Sequence, residues 1–143
     1  MQNTGFQEAV ETVCQEDRRY HPEAYTFLRD SLEATIKRRK KSKKEPGPHV
    51  GAAELLDGFR IHALAEFGPM ALMVLDYWGI TATADVGQMV FNLVEAGIFG
   101  KTDEDTTESF RDVFDFREAF VAPFRPLAGS LNDEPPLSVG SLL

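Results

Sequence analysis

The chain has 143 residues, 43% of them apolar and eleven of them Phe, with a formal net charge of −8. That is enough apolar material for one domain with its own core, and it excludes a membrane-spanning protein, since no apolar stretch reaches the roughly 18 residues a span needs. The charge is segregated: seven of the fifteen basic residues sit in "KRRKKSKK", Lys37 to Lys44, leaving eight basic against twenty-three acidic residues elsewhere.

The opening "MQNTGFQEAVETV" lacks the basic-then-apolar order of a signal peptide. The single cysteine, Cys14, can form neither an internal disulfide nor a Cys-rich zinc site. Both features lead to the expectation of a cytoplasmic protein. Thr4 with Gln7 reads as a capping box, and Phe6, Ala9, Val10, Val13 and Cys14 recur at helical spacing, predicting a first helix of about ten residues. Cys14 lies on that stripe and reads as a small buried thiol.

"YHPEAYTFLRDSLEATIKRRKK" predicts a second helix, with Pro22 in its first turn and Glu23 near the positive end of the dipole. Tyr25, Leu28, Leu32 and Ile36 form its inner stripe, and the basic run covers its last turns, where cations suit the negative end. Pro46, Gly47 and Pro48 then mark a loop at 45–51. A third helix runs from Ala52 to Phe67 with Leu55, Leu56, Phe59 and Ala63 inward, and Gly68 stops it. Pro69 opens a fourth, whose Ala71, Leu72, Leu75 and Trp78 share a face; Gly79 followed by Ile80 reads as a left-handed cap with its apolar partner. Thr83 is placed to cap a fifth helix through Gly97, burying Val86, Met89, Val90, Leu93 and Val94.

The fourth and fifth helices form a helix-turn-helix candidate. A hairpin over 98–114 would make it winged-helix-like, although no Asn-Gly or Gly-Gly turn marks one. Asp115 and Glu118 cap a last short helix through Phe116, Phe120 and Phe124. The pattern predicts a mainly α, compact five- to six-helix domain over 1–125, followed by a disordered, flexible tail at 126–143.

No catalytic motif stands out. The sequence has no P-loop, no Gly-rich dinucleotide turn, no Gly-x-Ser-x-Gly elbow and no ExxH repeat. His21 precedes Pro22 at a helix start and suits capping, and His49 lies in the Pro-Gly loop. His62 and Glu66 share the i,i+4 spacing of two metal ligands, which is also that of an ordinary side-chain pair. No catalytic residue, metal site or cofactor is assigned, and an enzyme with an unrecognised site stays as one alternative.

Nucleic acid has two candidate surfaces. The outward positions of the second helix of the helix-turn-helix are Asp85, Gln88, Asn92 and Glu95, which carry no cation and disfavour DNA. The basic run, Lys37, Arg38, Arg39, Lys40, Lys41, Lys43 and Lys44, is a nonspecific, salt-sensitive site for a nucleic acid or another polyanion, or a contact for an acidic partner; no aromatic residue interrupts it to stack a base.

Two resemblances add to this. "YHPEAYTFLRDSLEATIK", "ELLDGFRIHALAEFGPMALMVLDYWGI", "DVGQMVFNLVEAGIFGKTDED" and "DFREAFVAPF" resemble an uncharacterised conserved family described as restricted to planctomycete and verrucomicrobial bacteria, over nearly all of 6–124. The likeness implies a shared fold and carries no activity. Within the tail, Leu137, Ser138, Val139, Gly140, Ser141 and Leu142 are similar to the C-terminal cargo-loading peptides of encapsulin nanocompartments, commonly Leu-Thr-Val-Gly-Ser-Leu, with Ser138 in place of Thr. Leu127, Gly129, Ser130 and Leu131 repeat the Gly-Ser-Leu core upstream. This second resemblance implies an encapsulin shell protein as partner and the shell interior as destination. An extended segment would lay Leu137, Val139 and Leu142 into an apolar groove, with Gly140 letting the backbone approach the wall.

Overall fold

A computed structural model describes residues 2–42, 50–100 and 106–125. Among them are six α-helices: α1 (Gln2–Glu16), α2 (Pro22–Ser42), α3 (Ala52–Phe67), α4 (Ala71–Tyr77), α5 (Thr83–Glu95) and α6 (Phe116–Phe120). Three short 3-10 turns accompany them, at Gly68–Met70, Thr107–Phe110 and Ala122–Phe124, and no strand occurs among the described residues. The mainly α fold expected from the periodicity is therefore the observed one. No described helix is long and apolar enough to cross a membrane.

The helices α2 and α3 form the central pair. Their contact differs from the apolar stripe expected for α2. Tyr25 and Leu28 are fully buried, but farther along the buried positions are Ser31 and Thr35, while Leu32 and Ile36 are only partly covered. The cause is close approach through small residues. A Cβ at Gly58 of α3 would lie 1.8 Å from Thr35 Oγ1, so only glycine fits there. The two buried hydroxyls need no partner across the interface: Ser31 donates to the Phe27 carbonyl (2.9 Å) and Thr35 to that of Ser31 (2.8 Å), each one turn back. Seating this face turns Leu32 and Ile36 to the side.

The core extends outward from this pair. Phe6, Val10 and Val13 bring α1 against it, and Phe27 is an aromatic hub whose ring meets Phe59 at 5.3 Å, Phe67 at 5.4 Å and Trp78 at 5.5 Å. The bounds of α3 match those expected. Gly68, with φ of 51°, ends it and returns its N–H to the Leu64 carbonyl. After α4, Gly79 takes φ of 94° and donates to Asp76, while the N–H of fully buried Ile80 reaches the Leu75 carbonyl at 2.8 Å. This is the expected left-handed cap with its apolar partner. Gly79 also meets the loop before α2, because a Cβ there would lie 2.1 Å from the Arg19 carbonyl oxygen.

Several local expectations are corrected. The first helix starts at Gln2, so Thr4 lies inside it instead of capping it; nothing in Gln2 or Asn3 blocks helical geometry upstream. Thr83 does not cap α5. It is buried, donates to the Phe110 carbonyl (2.6 Å) and accepts from Val113 N–H (3.1 Å), which ties the chain after α5 to the start of that helix. The described part of 98–114 holds no hairpin: Thr106 accepts from Glu108 N–H and Ser109 from Thr106 N–H, closing a tight turn instead of a strand. Asp115 caps α6 as expected, through the N–H groups of Arg117 and Glu118. Phe124, read as part of that helix, instead lies exposed on the following 3-10 turn.

Candidate functional site

Leu32 and Ile36, displaced from the α2–α3 contact, form one wall of an apolar groove of about 590 Å³. Val90, Phe91 and Val94 of α5, the buried Leu55 of α3, and Ile98, Phe99 and Phe110 also line it. Gly87, over which the Phe110 ring packs, lies at its base. Polar groups are few. The Thr106 and Thr107 side chains border it, and Glu95 is the one charged residue among its described lining. Val90 and Val94, expected in the core, are half-buried here, and Phe91 is 45% exposed. A groove of this size and lining binds apolar groups and orients them with little polar chemistry.

The groove depends on the placement of α5, and a polar clamp on the opposite flank of that helix fixes it. Tyr20 Oη donates to Asp85 Oδ1 at 2.7 Å. The other Asp85 oxygen accepts from the N–H groups of Thr81 (2.9 Å) and Ala82 (3.1 Å), just before α5, the back-reaching half of a capping box. One turn before the end of α5, the Asn92 amide donates to Asp17 Oδ2 and to Tyr25 Oη, both at 3.0 Å, and its oxygen accepts from Gln88 (3.0 Å). Asp17 also takes two hydrogen bonds from the Arg19 guanidinium.

This overturns the expected reading face of the helix-turn-helix. Asp85 and Asn92 point into the protein, to Tyr20, Tyr25 and Asp17, and of the four positions only Glu95 is exposed. The polarity that reads as solvated surface in a single helix is satisfied by residues more than sixty positions away.

Asp17, Tyr20 and Tyr25 of the clamp are each shifted away from neutrality. Hydrogen bonding from Arg19 takes the Asp17 carboxyl well below the usual carboxylate range, against the opposing effect of burial. Burial pushes the Tyr25 hydroxyl up to about 12, and burial followed by the hydrogen bond to Asp85 raises Tyr20 further. The Cys14 thiol is raised by burial and then by the Asp17 charge, and it donates to the Tyr20 carbonyl at 3.7 Å. The raised value favours the protonated, less nucleophilic thiol at this partly buried position.

The remaining predicted site residues are dispersed. His21 Nδ1 accepts from Glu23 N–H (3.1 Å), the capping role expected of it. The His62 ring packs 4.7 Å from that of Phe27, and Glu66 is exposed. Among the described residues no three His, Cys, Asp or Glu side chains converge on a metal-sized site. Of the basic run, Lys37 and Arg38 are exposed, whereas Arg39 is turned to α3, where its guanidinium meets both oxygens of Glu54. Lys40 and Lys41 continue α2 with side chains outside the description; Lys43, Lys44 and His49, the repeat at 127–131 and the segment 137–142 lie outside the described residues.

The groove walls were not singled out by sequence, although a signal was present. Six apolar residues, Val86, Met89, Val90, Phe91, Leu93 and Val94, crowd two faces of α5, more than one buried stripe requires. Comparison of the chain with protein-family models, curated proteins and solved structures finds no match.

Proposed function

We propose that this helical, non-enzymatic protein is cargo of an encapsulin nanocompartment, docked to the inner wall of the shell through residues 137–142. The observation that carries the reading is the order Leu137-Ser138-Val139-Gly140-Ser141-Leu142, similar to a cargo-loading peptide and set off by Asn132-Asp133-Glu134-Pro135-Pro136. Its physics fits. Leu137 and Val139 share one side of an extended segment, Gly140 permits a bend, and no charge from Pro135 to Leu142 opposes burial in an apolar groove. A shell offers many identical grooves, so weak individual contacts suffice.

A passive role of the helical body in delivery fits the use of Tyr20, Asp85, Asn92, Asp17 and Tyr25, whose hydrogen bonds hold α5 in place. Co-expression with a shell protein, comparing the full chain with one lacking residues 126–143, tests the proposal. Co-purification of the full chain alone is expected; equal recovery of both chains rejects it.

A further inference from the structure

The helix α4 is apolar on more than one side. Ala71 and Leu75 are buried in the core, while Met73 and Tyr77, with Met70 of the preceding 3-10 turn, form a second stripe at helical spacing and stand 62%, 75% and 49% exposed. Asp76 is the one charged residue in α4. A helix with so little polar surface is ordinarily covered on both faces, and among the described residues the outer face has no cover. We infer that this stripe is a self-association surface, seated against the same stripe of a second copy of the chain.

Charge beside the stripe selects that occupant. At its Tyr77 end lies a hollow lined by Arg18, Arg19 and His21, with no carboxylate among the described lining. Beside Met73 lies another, lined by Asp76, Asp115 and Arg117. Arg19 is held by Asp17, but among the described residues neither Arg18 nor Asp76 has an ion-pair partner. One hollow is basic and the other acidic on balance, and each carries a charge that the fold leaves unpaired.

A two-fold axis crossing the stripe between the hollows reverses one copy on the other and sets the Tyr77 end of each against the Met73 side of its partner. Arg18 of one copy then faces Asp76 of the other, and the symmetry makes that pairing twice. The flexible methionine side chains let the two stripes adapt to each other. The net charge of −8 on each copy opposes approach, but at about 0.15 M salt that repulsion is screened beyond about 8 Å, whereas the pairs act in contact. An anionic membrane surface fits less well, because Asp76 and Asp115 border the stripe. Three exposed side chains and the rims of two hollows make a contact at the small end of specific interfaces, so the dimer is weak and depends on concentration.

Sedimentation equilibrium of the full chain between about 1 μM and 1 mM tests the inference. The expected result is a monomer that becomes a dimer across this range. Met73→Asp, Arg18→Glu and Asp76→Arg are each expected to raise the dissociation constant about tenfold or more, since each sets a like charge or an unpaired one in the contact. All three positions are exposed, and circular dichroism checks that each variant keeps its helices. Mixing the Arg18→Glu chain with the Asp76→Arg chain is expected to restore a dimer of native strength, because both pairings are again opposite in charge. A chain that stays monomeric throughout, a dimer indifferent to Met73→Asp, or a mixture that does not recover overturns the inference. So does a dimer lost instead on Phe91→Asp, which identifies the apolar groove as the contact.

Discussion

Tyr20 and Asp85 stand sixty-five positions apart in sequence and 2.7 Å apart in space, and through this bond the loop before α2 sets the start of α5. The same carboxylate reaches back to the N–H groups of Thr81 and Ala82, just before the helix. Two substitutions separate these roles. Tyr20→Phe removes only the inter-element bond and is expected to cost about 1.5–3 kcal/mol, the usual range for a hydrogen bond to a charged group. Asp85→Ala removes that bond and this back-reaching half of the capping box, which adds about 1 kcal/mol. Urea denaturation followed by circular dichroism checks the order; equal losses would mean that this half of the box contributes nothing.

Gly58 and Thr35 are expected to be energetically coupled. Gly58→Ala places a methyl group where Thr35 Oγ1 now sits, an overpacking that costs about 1–3 kcal/mol. Thr35→Ala opens that space. The double variant is therefore expected to lose less stability than the two single losses added together, and a double-mutant cycle in urea measures the difference.

The ends of the pH range test the clamp. Asp17 has its pKa lowered in the folded state, so its stabilisation is present above the ordinary carboxylate value of about 3.9 and is lost as pH falls through the folded value. The stability difference between the native chain and Asp17→Asn is expected to shrink on acidification from about pH 6 to pH 3. Tyr25 is raised to about 12, so its contribution is full below the ordinary tyrosine value of about 10 and declines as pH rises toward 12. Tyr25→Phe is expected to flatten the alkaline loss of stability. Denaturant midpoints across both limbs give the measurement.

The basic run is expected to contribute little polyanion binding at about 0.15 M salt, where exposed charges are screened beyond about 8 Å. Arg39 is held by Glu54, which withdraws one of its seven cations to the α2–α3 contact. Replacing Lys37, Arg38, Lys40, Lys41, Lys43 and Lys44 by Gln is expected to leave RNA retention in a filter-binding titration unchanged. A clear loss of retention would favour the nucleic-acid alternative.

Local signals were readable in this sequence wherever one residue settles one geometry. Gly68, Gly79 followed by Ile80, and Asp115 each mark a helix end at the position where it occurs, because a left-handed glycine or a capping carboxylate acts within a few residues. Thr83 was misread for the opposite reason. Its partner is the Phe110 carbonyl, twenty-seven positions away, and nothing local distinguishes that bond from a cap. Asp85 and Asn92 read as surface because polarity alone does not reveal a buried tyrosine hydroxyl across the fold. The groove followed from a packing choice, since once Ser31, Thr35 and Gly58 make the α2–α3 contact, Leu32 and Ile36 must face elsewhere.

Shell docking is tested most directly by protection from protease. The chain is co-expressed with an encapsulin shell protein, assembled shells are purified and exposed to added protease, and surviving cargo is quantified. The full chain is expected to co-purify and survive digestion, whereas the chain with Leu137→Asp and Leu142→Asp is expected to be lost before or during it. Equal survival of the two chains, or absence of the full chain from purified shells, would contradict delivery through residues 137–142.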